Sequence, residues 1–241
     1  MLHKTLGIIL HTIKYSESSL ITKIFTRDFG LQSYIISGIR SKKSRNKASL
    51  FQPLAMVEIV VSNSEKTNLQ RISEINTHYP YADIPYNISK SSIALFLNEV
   101  LFKAINVEHP DENMFEFIKN SLQILDLEHK NCSNFHIYFM VQLSRFLGFY
   151  PQGNFSSSDS VFDLQEGRFV NFIPVHSNYL TSQNAKMLND FIVAEYEIAI
   201  QIKIDKMQRK ELLQSLITFY QFHISSFKEI KSNQVLEEVI T

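Results

Sequence analysis

The hydrophobic period of this chain changes near residue 80, from alternation at every second position to recurrence at every third or fourth. Side chains alternate across a strand and repeat at about 3.6 residues along a helix, so the segments on either side of the change build different layers. Before it, five β-branched segments follow one another at 6–15, 20–26, 31–38, 55–61 and 68–75. The first gap is the polar run Ser16-Glu17-Ser18-Ser19 and the second the turn Arg27-Asp28-Phe29-Gly30. Five short strands joined mostly by tight turns suit a small closed or partly closed barrel, which removes exposed sheet edges.

After Pro80 and Pro85, which mark a domain hinge, the spacing is helical. Apolar residues recur at Ile93, Leu97, Val100, Leu101 and Ala104, and again at Met114, Phe115, Ile118, Leu122 and Leu125. These predict helices over 89–104 and 111–127, and the same pattern predicts others over 134–149, 182 to about 199, and 210–227. Gly148 and Pro151 supply the stop for the third. An insert at about 152–180 predicts a hairpin in which 161–164 and 168–170 flank Gln165-Glu166-Gly167. The expected class is therefore α+β: residues 1–80 form a five-stranded barrel, and 81–241 a mainly helical domain with a small β-hairpin insert.

The formal charge of the 241 residues is zero, which conceals an asymmetry. Over residues 1–80, eleven Lys and Arg stand against five Asp and Glu, a net charge of +6; the remainder carries −6. A basic surface attracts phosphate, so a polyanionic partner is expected for the first domain only. The strongest local feature is Arg40-Ser41-Lys42-Lys43-Ser44-Arg45-Asn46-Lys47, where five of eight residues are cationic and none acidic. Arg offers forked donors to phosphate oxygens, Lys a mobile point charge, and the Ser and Asn side chains neutral donors to the same backbone. The bland alternative is a solvated inter-strand loop. Lys4, Lys14, Lys23, Arg27 and Arg71 could extend the positive face, and Tyr15, Phe25, Tyr34 and Phe51 are candidates for stacking on bases.

Other chemistry finds little support. Six glycines, at 7, 30, 38, 148, 153 and 167, leave no phosphate-cradling loop and no dinucleotide fingerprint, so no nucleotide cofactor is expected. No serine sits in a nucleophile elbow. The lone Cys132 has no catalytic context and lies near His129 and His136 at a spacing that matches no zinc module, so no metal is expected. Asp111, Glu112 and Glu116 open a helix, where opposing its dipole explains them. No apolar run reaches membrane-span length, and the start of the chain does not read as a signal peptide, which predicts a cytoplasmic protein with no membrane partner.

Several separated segments carry a resemblance. Gly7-Ile8-Ile9-Leu10 through Tyr15-Ser16-Glu17-Ser18-Ser19-Leu20, the turn Phe25-Thr26-Arg27-Asp28-Phe29-Gly30, Gly38-Ile39-Arg40-Ser41-Lys42-Lys43-Ser44, and Leu50-Phe51-Gln52-Pro53-Leu54 resemble the N-terminal pattern of the recombination mediator family RecO. Leu212-Leu213, Tyr220, His223, Phe227, Ile230-Lys231-Ser232 and Val235-Leu236 resemble its C-terminal signature. The resemblance implies an N-terminal OB-fold, a helical domain, binding of single- and double-stranded DNA, and annealing of complementary strands without enzymatic activity. It also implies action with RecR in loading RecA onto DNA covered by single-strand-binding protein, whose C-terminal tail such proteins grip, at the nucleoid during repair. Some members carry a four-cysteine zinc module where this chain has the 161–170 hairpin, which contains no Cys or His. Zinc dependence is not expected here. An RNA-binding barrel or a protein-interaction scaffold would share the charge pattern; an enzyme would rest only on the His129/Cys132/His136 cluster.

Overall fold

The computed structural model describes residues 2–37, 50–62, 67–106, 109–129 and 132–240. Five strands come first: β1 (Leu2–Lys14), β2 (Ser19–Thr26), β3 (Gly30–Ser37), β4 (Met56–Ser62) and β5 (Leu69–Tyr79). They close into a barrel of order β1-β2-β3-β5-β4. All pairings are antiparallel except the seam where Ser33, Tyr34 and Ile35 run parallel to Leu69, Gln70 and Arg71. Alternation sends Ile24, Tyr34, Ile36, Ile59, Val61 and Ile72 inward, where Ile9 and Phe51 join them. Side chains thus fill the interior, as they do in small barrels generally.

Two glycines are needed by this geometry. Gly30 has φ 65°, the left-handed turn that lets β2 fold back into β3. Gly7 lies under Ile24, and a Cβ there would stand 2.5 Å from Ile24 Cγ2, so the two strands close only over a bare backbone. Leu54 also takes a left-handed conformation, at φ 61°, held by its N–H donating to Ile9 O at 2.7 Å and its carbonyl accepting from the Tyr81 hydroxyl at 2.7 Å.

The helical part comprises α1 (Ile88–Ala104), α2 (Glu112–Leu127), α3 (Phe135–Phe146), α4 (Ser182–Val193), α5 (Tyr196–Ala199), α6 (Lys206–His223) and α7 (Ser232–Val239), with short strands β6 (Val161–Asp163), β7 (Arg168–Val170) and β8 (Tyr179–Thr181). Two compact units divide the chain: Met1–Tyr86 with Asn98–Asp126, and Asn87–Leu97 with Leu127–Thr241. A change of period at residue 80 follows chain order, whereas compactness gathers 98–126 with the barrel. The reason is local. Phe115 of α2 packs on Phe25 with ring centroids 5.9 Å apart, and His11 stacks on Phe102 at 4.7 Å. Asp126, 1% exposed, accepts from the backbone N–H of Ala82, Asp83 and Ile84 at 2.8–2.9 Å and from the Tyr79 hydroxyl at 3.1 Å. Burial alone would push this carboxyl up; the four donors outweigh it and hold it below the ordinary carboxylate value.

In the second unit, Asn134 just before α3 donates to the carbonyls of Ala199 and Ile202 and accepts from Arg209 Nε at 3.1 Å. The Tyr220 hydroxyl on α6 donates to Met140 O on α3 at 2.7 Å. The predicted hairpin is present but forms part of a three-stranded sheet of order β7-β6-β8, since Leu180 pairs with Phe162 on the far side. No cysteine is needed to hold it. Phe162 packs against Phe169 and Phe219, and His223 on α6 reaches Leu164 O at 3.2 Å.

Helix ends differ from expectation for identifiable reasons. The third helix stops at Phe146, because Gly148 turns left-handed at φ 85°. The expected helix over 182 to about 199 is broken at Ala194 and Glu195, both extended. The helix expected to begin at 210 begins at Lys206, where Asp205 and Gln208 form a reciprocal capping box, and ends at His223 because Ile224 is extended. Helix α7 was not expected.

Candidate nucleic-acid interface

Register decides which side chains share the outer surface of the barrel. Because Ile24, Tyr34 and Ile36 point in, their neighbours Lys23, Ser33, Ile35 and Ser37 point out. Two rows then run across four strands. One is Ile13–Ile21–Ile35–Arg71, the other His11–Lys23–Ser33–Leu69. None of these eight residues is acidic, and His11, Lys23 and Arg71 are all exposed. Beside them the exposed pair Ser19 and Ser37 is joined by a 3.3 Å hydroxyl bond. The face is therefore an isoleucine strip bordered by cations and hydroxyls. It ends at Ser37, three residues before the cationic segment begins at Arg40 in the chain.

The expected site residues fall into separate groups. Arg40, Lys42, Lys43, Arg45 and Lys47 lie outside the described residues. Lys14 ends β1, opposite Leu20, and is exposed. Lys23 stands with its Nζ 5.5 Å from the Phe102 ring centroid, a contact that orients it without neutralising it. Among the described residues neither forms an ion pair, and nor does Arg71. Arg27 differs: its Nε lies 3.6 Å from Asp28 Oδ1 and 3.8 Å from Glu112 Oε1. It follows Thr26 at the other end of β2 from Lys14, about 20 Å away along the strand. Lys4 is also engaged, at 2.9 Å from Glu58.

The stacking candidates are corrected by burial. Tyr34 and Phe25 are 0% exposed and Phe51 is 5%, so none can meet a base. Tyr34 belongs to the barrel interior, where its hydroxyl donates to Gln32 Oε1 at 3.2 Å and burial pushes its pKa up to about 12. Only Tyr15, 63% exposed just beyond β1, remains available. The residues that sequence reasoning missed are His11, Ile13, Ile21 and Ile35. The alternation along β2 and β3 carries the signal for Ile21 and Ile35, whereas a register shift between Ile9 and His11 changes the phase of β1 and hides His11 and Ile13.

Among the described residues no three His, Cys, Asp or Glu side chains gather as a metal would require. Cys132 and His136 are buried and His129 is exposed. No helix among the described residues is long and apolar enough to cross a membrane.

Comparison with known proteins decides the family. Residues 1–81 match the family profile described as Recombination protein O N terminal, and residues 85–233 that described as Recombination protein O C terminal. The chain belongs to the RecO family. Similar proteins include the DNA repair protein RecO of Phocaeicola vulgatus, 36% identical over 241 residues and 100% of both chains. That of Bacteroides fragilis is 35% identical over 240 residues, and that of Flavobacterium psychrophilum 34% over 239, each covering 99% of both chains. As a member of the RecO family the chain is a DNA repair and recombination protein, and the five-stranded barrel is its OB-type N-terminal domain.

Proposed function

We propose that this chain is a non-enzymatic recombination mediator that binds single- and double-stranded DNA without regard to sequence and anneals complementary strands. The observation that carries the reading is the pair of acid-free rows crossing the outer face of β1, β2, β3 and β5, with Lys23 and Arg71 exposed in them, Lys14 at the end of β1 and the cationic segment 40–47 following β3 in the chain. Barrels of this kind bind oligonucleotides on the face of strands 2 and 3. Annealing brings two polyanions together, so phosphates must be neutralised while base edges stay free to pair. A face with isoleucines in place of aromatic platforms does this, because it holds backbones and withholds the roughly 1–3 kcal/mol per base that stacking would supply. Arg27, already engaged by two carboxylates, is a secondary contact in this reading.

The same reading, resting on the family, has the protein act in the cytoplasm at the nucleoid. There it works with RecR, grips the C-terminal tail of single-strand-binding protein, and helps load RecA onto DNA that this protein covers. The test is annealing of complementary oligonucleotides coated with single-strand-binding protein, by wild type and by Arg40→Ala/Lys42→Ala/Lys43→Ala/Arg45→Ala. Wild type should anneal and the variant should be slowed at least tenfold. Equal rates would remove the segment from the mechanism. Tighter binding of an RNA than of the matched DNA would favour an RNA-binding barrel instead.

A further inference from the structure

The second unit holds a cavity of about 370 Å³ between the start of α6 and the C-terminal helix α7. This is the size range of small-molecule sites, about 300–1,000 Å³. Lys206, Arg209 and Lys210 line it from α6, and Glu237 and Glu238 from α7. Glu237 is already tied to Lys210 at 2.9 Å, and Asp205, which caps α6, also acts on Arg209, so three cations line the cavity against Glu238 and the engaged Glu237. Leu213, Leu236 and Ile240 give the wall an aliphatic part, and Gln234 and His136 complete it.

Two details make this a built site. Arg209 is pinned, since its Nε donates to Asn134 Oδ1 at 3.1 Å and its Nη2 to Ile204 O at 3.1 Å, so its planar group is set in place before any ligand arrives. His136, on α3, also lines the cavity; it is 1% exposed, and its Nδ1 has no hydrogen-bond partner among the described residues. An orphaned buried polar atom costs about 1–3 kcal/mol. A ligand oxygen accepting from it, or a ligand hydroxyl donating to it, would recover that cost.

We infer that this cavity binds a small organic anion, with an oxyanion head meeting Lys206, Arg209 and His136 and an apolar body lying on Leu213, Leu236 and Ile240. All lining residues belong to the second unit, and the inference does not rest on the DNA reading. It also predicts an effect on His136. Burial, and then the charge of Arg209, hold that imidazole down at about pKa 3. An anion beside Arg209 offsets the second cause, so occupancy should raise the pKa.

The test is calorimetric titration of the full-length protein with cyclohexanecarboxylate, with its neutral twin cyclohexanecarboxamide, and with adenosine monophosphate. At least one of the two anions should bind ten times more tightly than the amide. The exposed Lys206→Gln variant, whose thermal midpoint serves as the folding control, should weaken that anion at least fivefold. Tighter binding of the monophosphate would assign the head as phosphate, and tighter binding of the carboxylate would assign it as carboxylate. NMR titration of the imidazole should show the His136 pKa rising in the bound state. Equal binding of anion and amide, no binding of either anion, or undiminished affinity in Lys206→Gln would each overturn the inference.

Discussion

Replacing Lys14, Lys23 and Arg71 together by Ala tests whether the outer barrel face carries DNA. All three are exposed and unpaired by carboxylates among the described residues, so their removal leaves the barrel interior untouched. Among the described residues only the Lys23–Phe102 contact is lost, worth about 0.5–1 kcal/mol at an exposed site. On single-stranded DNA each neutralised phosphate adds about 0.7 to the magnitude of the slope of log affinity against log salt. The five cations of the 40–47 segment then contribute about 3.5 and the three face residues about 2.1, giving wild type a slope near −5 to −6. The face variant should read near −3.5, and Arg40→Ala/Lys42→Ala/Lys43→Ala/Arg45→Ala near −2.8. Arg27→Ala is the internal control. Its guanidinium already sits beside Asp28 and Glu112, so the slope should move by less than about 0.3. Fluorescence anisotropy of a labelled oligothymidine over about 50–300 mM salt gives all four slopes. If the face variant keeps the wild-type slope, or Arg27→Ala flattens it as much as the triple change does, the assignment from register is wrong.

Further outcomes at three residues concern the scaffold. Asp126→Ala strands three backbone N–H groups and the Tyr79 hydroxyl, and should cost about 3–5 kcal/mol in urea unfolding; a loss under about 1 would mean that water replaces the carboxylate. The same carboxyl is depressed in the folded state, so its contribution is present above the unfolded value of about 3.9 and is lost as pH falls through the folded pKa. Gly7→Ala forces a methyl to within 2.5 Å of Ile24 Cγ2 and should lower stability by about 1–3 kcal/mol, visible as a drop in thermal midpoint with secondary structure retained. His136 is depressed to about 3, so below its unfolded value of about 6.5 the unfolded state binds the extra proton. Its burden is absent above that pH and grows by about 1.4 kcal/mol per pH unit between the two values. His136→Leu should flatten the fall in stability between pH 7 and 5, and an unaltered pH profile would contradict the assignment.

How far the sequence carries this protein depends on whether a feature needs pattern or register. Strand count and order of appearance need only pattern, and the five segments before residue 80 were legible as strands. The helix-spaced residues from Ile93 to Leu125 were equally plain. Tyr34 shows where pattern was available and unused. Ser33, Ile35 and Ser37 flank it at alternate positions with Ile36 in its own phase, and two outward serines on one parity place the tyrosine ring on the other. The His11–Lys23 pairing could not be found in this way, because the register shift after Ile9 inverts the phase of β1 and leaves no mark in residue type. Strand β8, three residues long, and helix α7, eight long, fall below the window in which a period can be recognised. The break at Ala194 and Glu195 uses two ordinary helix formers, so tertiary packing rather than propensity sets it. Asp126 left one clue, a carboxylate between Leu125 and Leu127 on a helix otherwise apolar at that spacing. Buried charge in such a place implies donors. Only the fold says that they are the backbone amides of residues 82–84, and this is why a residue without chemistry of its own holds the end of the barrel strand in place.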